Sequence, residues 1–111
     1  MKKPKLKFRE KDAQKSIVAW LTAKRMFFYR QNTGTFATES GGYYRFGTPG
    51  SPDIVVICAG IYVGIECKSS TGRQSPAQKD FQERLEKVGG CYILARSIDD
   101  VQKRLKDEGF I

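Results

Sequence analysis

Two acidic residues and one lysine stand at the ends of two neighbouring apolar runs, where their chemistry could be combined. Asp53 directly precedes the apolar run 54–58, and Glu66 and Lys68 end a second run that begins at residue 61. Only residues 59–60 separate the runs, and each run has the length and β-branched content of a strand. The pattern predicts a β-hairpin with a charged open end.

The register of this hairpin decides whether the charged side chains meet. If Ala59 and Gly60 form a two-residue turn, Asp53 lies directly opposite Glu66, with Cβ atoms about 5 Å apart on one face. Lys68 shares that face, about 7 Å further along the strand, and the side chain of residue 67 points away. A shift of one residue would separate the two acids onto opposite faces.

Adjacent carboxylates repel each other unless a cation lies between them. Hard oxygen ligands of this kind suit Mg²⁺ or Mn²⁺, which polarise a phosphate and lower the pKa of a bound water. A neighbouring lysine could hold or deprotonate the attacking water, or stabilise charge on the phosphate. The ordinary alternatives are a solvated Glu-x-Lys strand face and a Pro-Asp turn. Because both acids end apolar runs that pair with each other, the pattern favours a metal site for phosphodiester hydrolysis.

The composition limits the chemistry further. The chain has 111 residues and no histidine, which predicts one domain and excludes histidine-metal nucleases, two-histidine ribonucleases and Ser-His-Asp hydrolysis. The cysteines at 58, 67 and 91 lack metal-site or disulfide spacing, so we expect them to pack as small apolar residues. No apolar run approaches a membrane span of about 20 residues, and no signal peptide is evident. We expect a cytoplasmic protein without a membrane partner.

The net charge of +8 is concentrated at one end of the chain. Residues 1–30 hold ten Lys/Arg and two acids, whereas residues 31–111 are balanced. We expect residues 1–9 to form a flexible basic arm ahead of a single domain at residues 10–111. Together with a basic first helix, the arm suggests a polyanionic partner such as DNA and a salt-sensitive affinity. A solubility tail or an anionic membrane surface is the alternative.

Short motifs in the chain resemble those of a known nuclease superfamily. The segments Gly50–Asp53 and Glu66–Lys68 resemble the PD-(D/E)xK signature, and their details resemble its virus-type replication-repair nuclease (VRR-NUC) branch. Three further segments match that branch in order and spacing, namely Glu10-x-x-Ala13-Gln14-x-x-Ile17, Arg30-x-Asn32-x-Gly34 and Ser75-Pro76-Ala77-Gln78.

The resemblance implies a set of metal ligands. Asp53, Glu66 and the backbone carbonyl of Cys67 would hold Mg²⁺, for which Mn²⁺ could substitute. Glu10 would act on the same ion directly or through water. From the residues alone, Glu10 is better explained as an acid that stabilises the N-terminus of a helix.

The resemblance also implies roles for a lysine and a glutamine. Lys68 would position or activate water, and Gln78 would orient Lys68 or the phosphate. Capping by itself explains Gln78, because Ser75-x-x-Gln78 is a capping box at the start of a helix. Both interpretations of Gln78 remain open at this point.

A further group of residues is expected to contact DNA. Arginine, lysine and amide side chains suit phosphates and base or sugar edges, and a glycine-rich stretch with aromatics at 34–52 could approach the backbone and stack on bases. The alternatives are strand-end charges, turn residues and aromatics that pack in the core, with residues 43–46 as a short strand. The candidates are Gln14, Lys15, Arg30, Asn32, Tyr43, Tyr44, Arg45 and Arg73.

Hydrophobic periodicity predicts the elements that must position these residues. We expect a helix from Glu10 to near Arg25, strands at 26–30, 54–58 and 61–68, and a helix that begins after Ser75 and is stopped by Gly89-Gly90. A strand at 91–95 and a helix capped by Ser97 follow. The predicted buried stripes are Ala13, Ile17, Val18 and Leu21 in the first helix, Phe81, Leu85 and Val88 in the second, and Ile98, Val101 and Leu105 in the third.

This order of elements predicts the α/β class, with a restriction-endonuclease-like αβββαβ core and a central mixed sheet flanked by helices. It agrees with the core of the family. The proposed activity is metal-dependent DNA endonuclease cleavage. The family implies selectivity for branched, junction or flap DNA in replication, repair or recombination, in a bacterial or phage-infected cytosol, and stand-alone members of this size often act as homodimers. A catalytically silent nucleic-acid-binding module and a restriction-type endonuclease on the same core remain alternatives.

Overall fold

The computed structural model describes residues 9–31 and 34–111, and only the backbone of residues 34–36 and 45–46. Asn32 and residues 1–8 of the expected basic arm lie outside the described residues. The elements in chain order are α1 (Glu10–Ala23), β1 (Phe28–Arg30), β2 (Gly34–Ala37), β3 (Tyr43–Phe46), β4 (Ile54–Cys58), β5 (Ile61–Cys67), α2 (Pro76–Lys87), β6 (Cys91–Ala95) and α3 (Ile98–Asp107).

Four strands form the central sheet, in the order β1-β4-β5-β6. The pairs β1–β4 and β4–β5 are antiparallel, whereas β5 and β6 run parallel. Because α2 connects β5 to β6, it supplies the crossover that a parallel pair requires. The sheet is therefore mixed and flanked by helices, and the predicted αβββαβ core is confirmed.

The hairpin register is also confirmed. Cys58 pairs with Ile61, and the pairing continues to Ile54 opposite Ile65 at the charged end. Ala59 and Gly60 both have positive φ, at 50° and 79°, which is the requirement of a type I′ turn. The two-residue loop therefore forms even though alanine rarely adopts this conformation.

One face of the sheet packs on two helices and forms the hydrophobic core. Alternate residues of β4, β5 and β6 point to this face, and they meet the buried stripes of α1 and α3. The three cysteines are free, and Cys67 is fully buried there, so they pack as apolar residues as expected. The contributing side chains include Ala13, Ile17, Leu21, Ile54, Val56, Cys58, Val63, Ile65, Cys67, Cys91, Ile93, Ala95, Val101 and Leu105.

The glycine-rich stretch 34–52 contains regular structure. It contains a second antiparallel sheet, in which Gly34 pairs with Phe46 and Ala37 with Tyr43. The strand at 43–46, left open from the sequence, exists. The prediction failed for β2 because a four-residue strand that begins at a glycine lacks the apolar alternation on which a strand assignment depends.

Several helix boundaries differ from the prediction. The α1 helix ends at Ala23 because Arg25 takes a positive φ of 55°. Val88 is 83% exposed rather than buried, since it is the C-cap residue beyond the last turn of α2, while Phe81 and Leu85 are half-buried.

The cap of α3 differs from the prediction as well. Ser97 occupies the N-cap position of α3, but its side chain makes no capping hydrogen bond. The Asp100 carboxylate instead accepts a hydrogen bond from the backbone N–H of Arg96, at 2.8 Å. Among the described residues, no helix is long and apolar enough to cross a membrane.

Candidate metal centre

Three carboxylates from distant parts of the chain meet at the open end of the β4–β5 hairpin. One oxygen each from Glu10, Asp53 and Glu66 lies within 4.8 Å of the other two. Glu10 is the first residue of α1, Asp53 immediately precedes β4, and Glu66 is near the end of β5. The packing of α1 on the sheet therefore adds a third acid to the pair that the hairpin brings together.

Asp53 is held by the strand next to it. Its Oδ2 accepts a hydrogen bond from the backbone N–H of Cys67 at 2.8 Å, and its carbonyl accepts one from the N–H of Gln31 at 2.8 Å. The contact with Gln31 extends the β1–β4 pairing by one position beyond the regular ladder. The contact with Cys67 directs the Asp53 carboxylate toward β5.

The loop before Asp53 is held against two other elements. A Cβ on Gly50 would lie 2.1 Å from the carbonyl oxygen of Ala77, and Gly50 has a φ of +79°. A Cβ on Gly64 would lie 2.7 Å from the Pro52 side chain. Glycine at both positions therefore permits close contact with the first turn of α2 and with β5.

Glu66 is a buried acid with an incompletely satisfied carboxylate. The residue is 2% exposed. Its Oε1 accepts a hydrogen bond from Gln78 Nε2 at 2.9 Å and lies 3.7 Å from Lys68 Nζ. Within the described residues, its Oε2 is buried and has no hydrogen-bond partner. Burial first, and then the charge of Asp53, raise the pKa of Glu66 to about 8, while Lys68 acts in the opposite direction.

The donor set fits a divalent cation. A buried carboxylate oxygen without a partner, such as Glu66 Oε2, is costly in a folded protein. One carboxylate oxygen each of Glu10 and Asp53 also lies within 4.8 Å of a Glu66 carboxylate oxygen. A cation among them would satisfy the oxygen and offset the repulsion. All three side-chain donors are hard oxygens, which suit Mg²⁺ or Mn²⁺. The Cys67 thiol packs in the core on the opposite face of the sheet, so it does not join this set.

Gln78 completes the predicted capping box and also contacts the carboxylate cluster, while its role toward Lys68 or the phosphate stays a prediction. Its Oε1 accepts a hydrogen bond from the Ser75 backbone N–H at 2.9 Å, and its own N–H donates to Ser75 Oγ at 3.2 Å, which completes the capping box. The Nε2 of the same amide donates to Glu66. The start of α2 is thereby tied to the carboxylate cluster, on the oxygen that Lys68 also approaches.

The residues expected to contact DNA lie at different distances from this centre. Exposed Arg30 ends β1 opposite Ile54, next to Asp53. Burial raises the pKa of the Cys67 thiol to about 12, and the positive charge of Arg30 acts in the opposite direction. Arg73 is exposed in the segment between Lys68 and α2.

The remaining candidates lie on α1 and on the small sheet. Gln14 is half-buried and Lys15 exposed, about one turn along α1 from Glu10. Tyr43 and Tyr44 are exposed on β3, which pairs with no strand of the central sheet. The backbone of Arg45 is in β3, whereas its side chain and the whole of Asn32 are not among the described groups.

The sequence did not single out two residues next to the centre. The guanidinium of Arg96 donates to the carbonyl oxygen of Ser69, directly after Lys68. Tyr92 is 1% exposed on the α2 side of β6, and the charges of Glu66 and Asp53 affect its pKa, which burial raises to about 12. An arginine directly after a predicted strand was a visible signal for the first residue. Its significance depends on β6 lying next to β5.

The raised pKa of Glu66 predicts a pH dependence of stability in the metal-free protein. The folded state holds the Glu66 proton up to about pH 8, whereas the unfolded chain loses it near the ordinary value of 4.5. Protonation therefore stabilises the fold below the unfolded pKa, and this contribution is lost as the pH rises from about 4.5 to about 8. Urea unfolding in EDTA should show decreasing stability across this window.

The E66Q variant should show a flatter profile, because glutamine does not titrate. The D80N variant serves as the control, since Asp80 is an exposed acid on α2. Equal slopes for E66Q and the wild type between pH 5 and 8 would contradict the assignment of the titration to Glu66.

Comparison with known proteins supports the fold. No family model matches the chain, and no curated protein matches it. A solved structure described as a "VRR_NUC domain protein" superposes with a TM-score of 0.61 over 98% of this chain and 91% of its own, at 22% sequence identity. The chain therefore has the fold of that protein, which confirms at the level of the fold the resemblance first seen in the motifs.

Proposed function

We propose that this protein is a metal-dependent DNA endonuclease that hydrolyses phosphodiester bonds, with a preference for branched, junction or flap DNA. The observation that carries the proposal is the convergence of Glu10, Asp53 and Glu66 within 4.8 Å beside Lys68. The fold shared with a VRR_NUC domain protein supports the same assignment.

The proposed metal ligands are Asp53, Glu66 and the Cys67 carbonyl, with Glu10 as a direct or water-mediated ligand. Glu10 belongs to the set because its carboxylate lies within reach of the other two. A divalent cation bound here would supply Lewis-acid polarisation of the scissile phosphate and a more acidic water. The Asp53 carboxylate is kept in place by the Cys67 N–H, and the Glu66 carboxylate by the Gln78 amide.

Lys68 is the proposed residue for positioning the attacking water. Its side chain is 11% exposed, and its ammonium lies 3.7 Å from Glu66 Oε1. An ammonium held at the edge of a carboxylate cluster can donate to a water or to a non-bridging phosphate oxygen, but the cluster restricts its direction. Gln78 is proposed to assist by fixing the carboxylate that Lys68 approaches.

Exposed cations around the centre are proposed to bind the DNA backbone. Arg30, Arg73 and Lys15 lie at the end of β1, after Lys68 and on α1 respectively, and all three are exposed. Arginine and lysine bind phosphates without reading sequence, and the chain's net charge of +8 adds a long-range attraction. The proposed contacts of Gln14, Asn32, Tyr43, Tyr44 and Arg45 would extend this surface.

A panel of DNA substrates tests the proposal and separates its alternatives. Supercoiled plasmid, linear duplex, flap and four-way junction DNA should be incubated with Mg²⁺ and, in parallel, with EDTA. Mg²⁺-dependent cleavage that prefers flaps or junctions is the expected result. Cutting of linear duplex at defined sequences would indicate a restriction-type endonuclease, and DNA binding without any cleavage would indicate a silent binding module.

We also propose that two copies associate through a part of the central sheet that no helix of the described residues covers. The uncovered sheet face consists of Phe27, Tyr29, Ile57 and Tyr62, which the register places on the α2 side of β1, β4 and β5. Helix α2 packs over β6 and leaves Phe27 72% and Tyr29 47% exposed. Exposed aromatic clusters are typical of protein interfaces.

The double variant F27S/Y29S is expected to weaken self-association about 100-fold, since interfacial aromatic anchors commonly contribute more than about 1 kcal/mol each. Light scattering and sedimentation over a range of protein concentrations would measure the dissociation constant. The control is V88S, because Val88 is 83% exposed at the end of α2, outside this face. A wild-type monomer at all concentrations, or a double variant that dimerises like the wild type, would contradict the proposed interface.

A further inference from the structure

The segment that follows Lys68 folds back on itself as a compact turn. The N–H of Gly72 donates to Ser69 Oγ at 2.9 Å and lies 3.3 Å from the Ser69 carbonyl oxygen. A Cβ on Gly72 would lie 3.4 Å from Lys68 Cδ and 3.1 Å from Ser69 Oγ. The turn therefore lies beside the aliphatic stem of Lys68, with little space between them.

This turn is tied to β6 at two neighbouring points. The Lys68 N–H donates to the carbonyl of Ala95 at 2.9 Å, which extends the parallel β5–β6 ladder by one bond. Arg96, the residue that follows β6, donates from its guanidinium to the carbonyl oxygen of Ser69. The backbone of Arg96 is itself fixed, because its N–H donates to Asp100 in the first turn of α3.

We infer that Arg96 is a positioning residue, which holds the Ser69–Gly72 turn against Lys68 and so fixes the direction of the Lys68 ammonium. The guanidinium is half-buried and its contact is a backbone carbonyl next to Lys68, not an acidic side chain. Hydrogen bonds from a charged donor to a carbonyl are stronger than neutral ones. The consequence for catalysis rests on the proposed function, whereas the placement of Lys68 does not.

Chemical labelling of lysines tests the placement without DNA or metal. An N-hydroxysuccinimide acetate reagent is applied to the metal-free protein, and the modification of each lysine is followed by mass spectrometry. Lys68 should react slowly in the wild type relative to exposed Lys79. In R96Q we expect the relative rate at Lys68 to rise about tenfold, the change that loss of one charged hydrogen bond would cause in a local opening equilibrium.

The matched control is R104Q. Arg104 lines the same surface groove as Arg96 and carries the same charge, but it pairs with Glu108 and not with the turn. Labelling of Lys68 should be unchanged in R104Q, and R96K should fall between R96Q and the wild type. Equal labelling of Lys68 in R96Q and the wild type, or an equal increase in R104Q, would overturn the inference.

Hydrogen exchange of the wild type supplies a test that requires no variant. The Gly72 amide should exchange at least about tenfold more slowly than in an unstructured peptide, since it is bonded within the turn. Exchange at the unstructured rate would show that the turn is not held and would overturn the inference even if R96Q failed to fold.

The kinetic readout separates positioning from DNA binding. If Arg96 acts through Lys68, R96Q should lower kcat about tenfold with an unchanged KM, and it should have no further effect in a K68A background. A rise in KM and in the dissociation constant for DNA, with unchanged Lys68 labelling, would assign Arg96 to phosphate binding instead. An inactive wild type would refute the proposed function and leave the labelling and exchange results to decide the placement.

Discussion

Replacement of Asp53 by asparagine is expected to reduce Mg²⁺-dependent DNA cleavage by about 10³-fold or more, while DNA binding is largely retained. The change removes one of the three carboxylates from the cluster. Asparagine keeps the size of the side chain and an oxygen that can accept the hydrogen bond from the Cys67 N–H, which Asp53 Oδ2 accepts at 2.8 Å. The variant therefore tests the charge with little disturbance of the hairpin. D53A would remove both the charge and the hydrogen-bond acceptor.

Single-turnover cleavage rates and fluorescence anisotropy in EDTA would measure the two effects separately. K68A should show the same pattern, since Lys68 is proposed to act on the water or phosphate and not to bind DNA as its main role. D80N is the matched control, because it removes one exposed aspartate from α2. Cleavage by both D53N and K68A at rates within about tenfold of the wild type would refute the assignment of the centre.

Replacement of Gly50 by alanine is expected to destabilise the protein by about 3 kcal/mol or more. A Cβ at this position would lie 2.1 Å from the Ala77 carbonyl oxygen and 2.9 Å from the Gln78 backbone nitrogen, and the backbone φ is +79°. The atoms in the way are backbone atoms of the first turn of α2, which cannot move without displacing the helix. Urea unfolding followed by circular dichroism would measure the change.

Gly60 separates the steric effect from the conformational one. It has the same φ of +79°, but no atom lies within 4 Å of an added Cβ. G60A should therefore cost only about 1–2 kcal/mol, the penalty of the left-handed conformation. Equal destabilisation by G50A and G60A would show that the contact between Gly50 and α2 has no energetic weight.

The contact at Gly50 also has a consequence for the centre. The same first turn of α2 contains Gln78, which donates to Glu66, and the loop that contains Gly50 leads into Asp53. Displacement of α2 would thus alter the support of two carboxylates at once. We therefore expect G50A to cleave DNA more slowly than the wild type even under conditions in which the variant is fully folded.

Much of the centre could be predicted from local sequence. The pair Asp53 and Glu66 follows from one turn, because a two-residue loop at 59–60 sets the register of the whole hairpin. The capping box formed by Ser75 and Gln78 predicts the start of α2, which the structure confirms. These features are local in the chain, so propensity and spacing are sufficient to define them.

Other features lay outside the reach of local rules. Val88 was assigned to a buried stripe by helical spacing, but the helix ended one residue earlier and left it exposed. The strand β2 was missed because its partner β3, rather than its own composition, stabilises it. The exact end of the helix decided the first case, and pairing with a neighbouring strand decided the second.

The sequence by itself determined the hairpin, its charged open end and the order of the elements in the αβββαβ core, since each depends on residues close together in the chain. Only the tertiary structure decided how distant segments pack against this end of the hairpin. Glu10 arrives by the packing of α1 on the sheet, and Arg96 by the parallel pairing of β6 with β5. The reason is that sheet order and helix placement result from the burial of whole apolar faces, a sum over the entire chain that no single motif specifies.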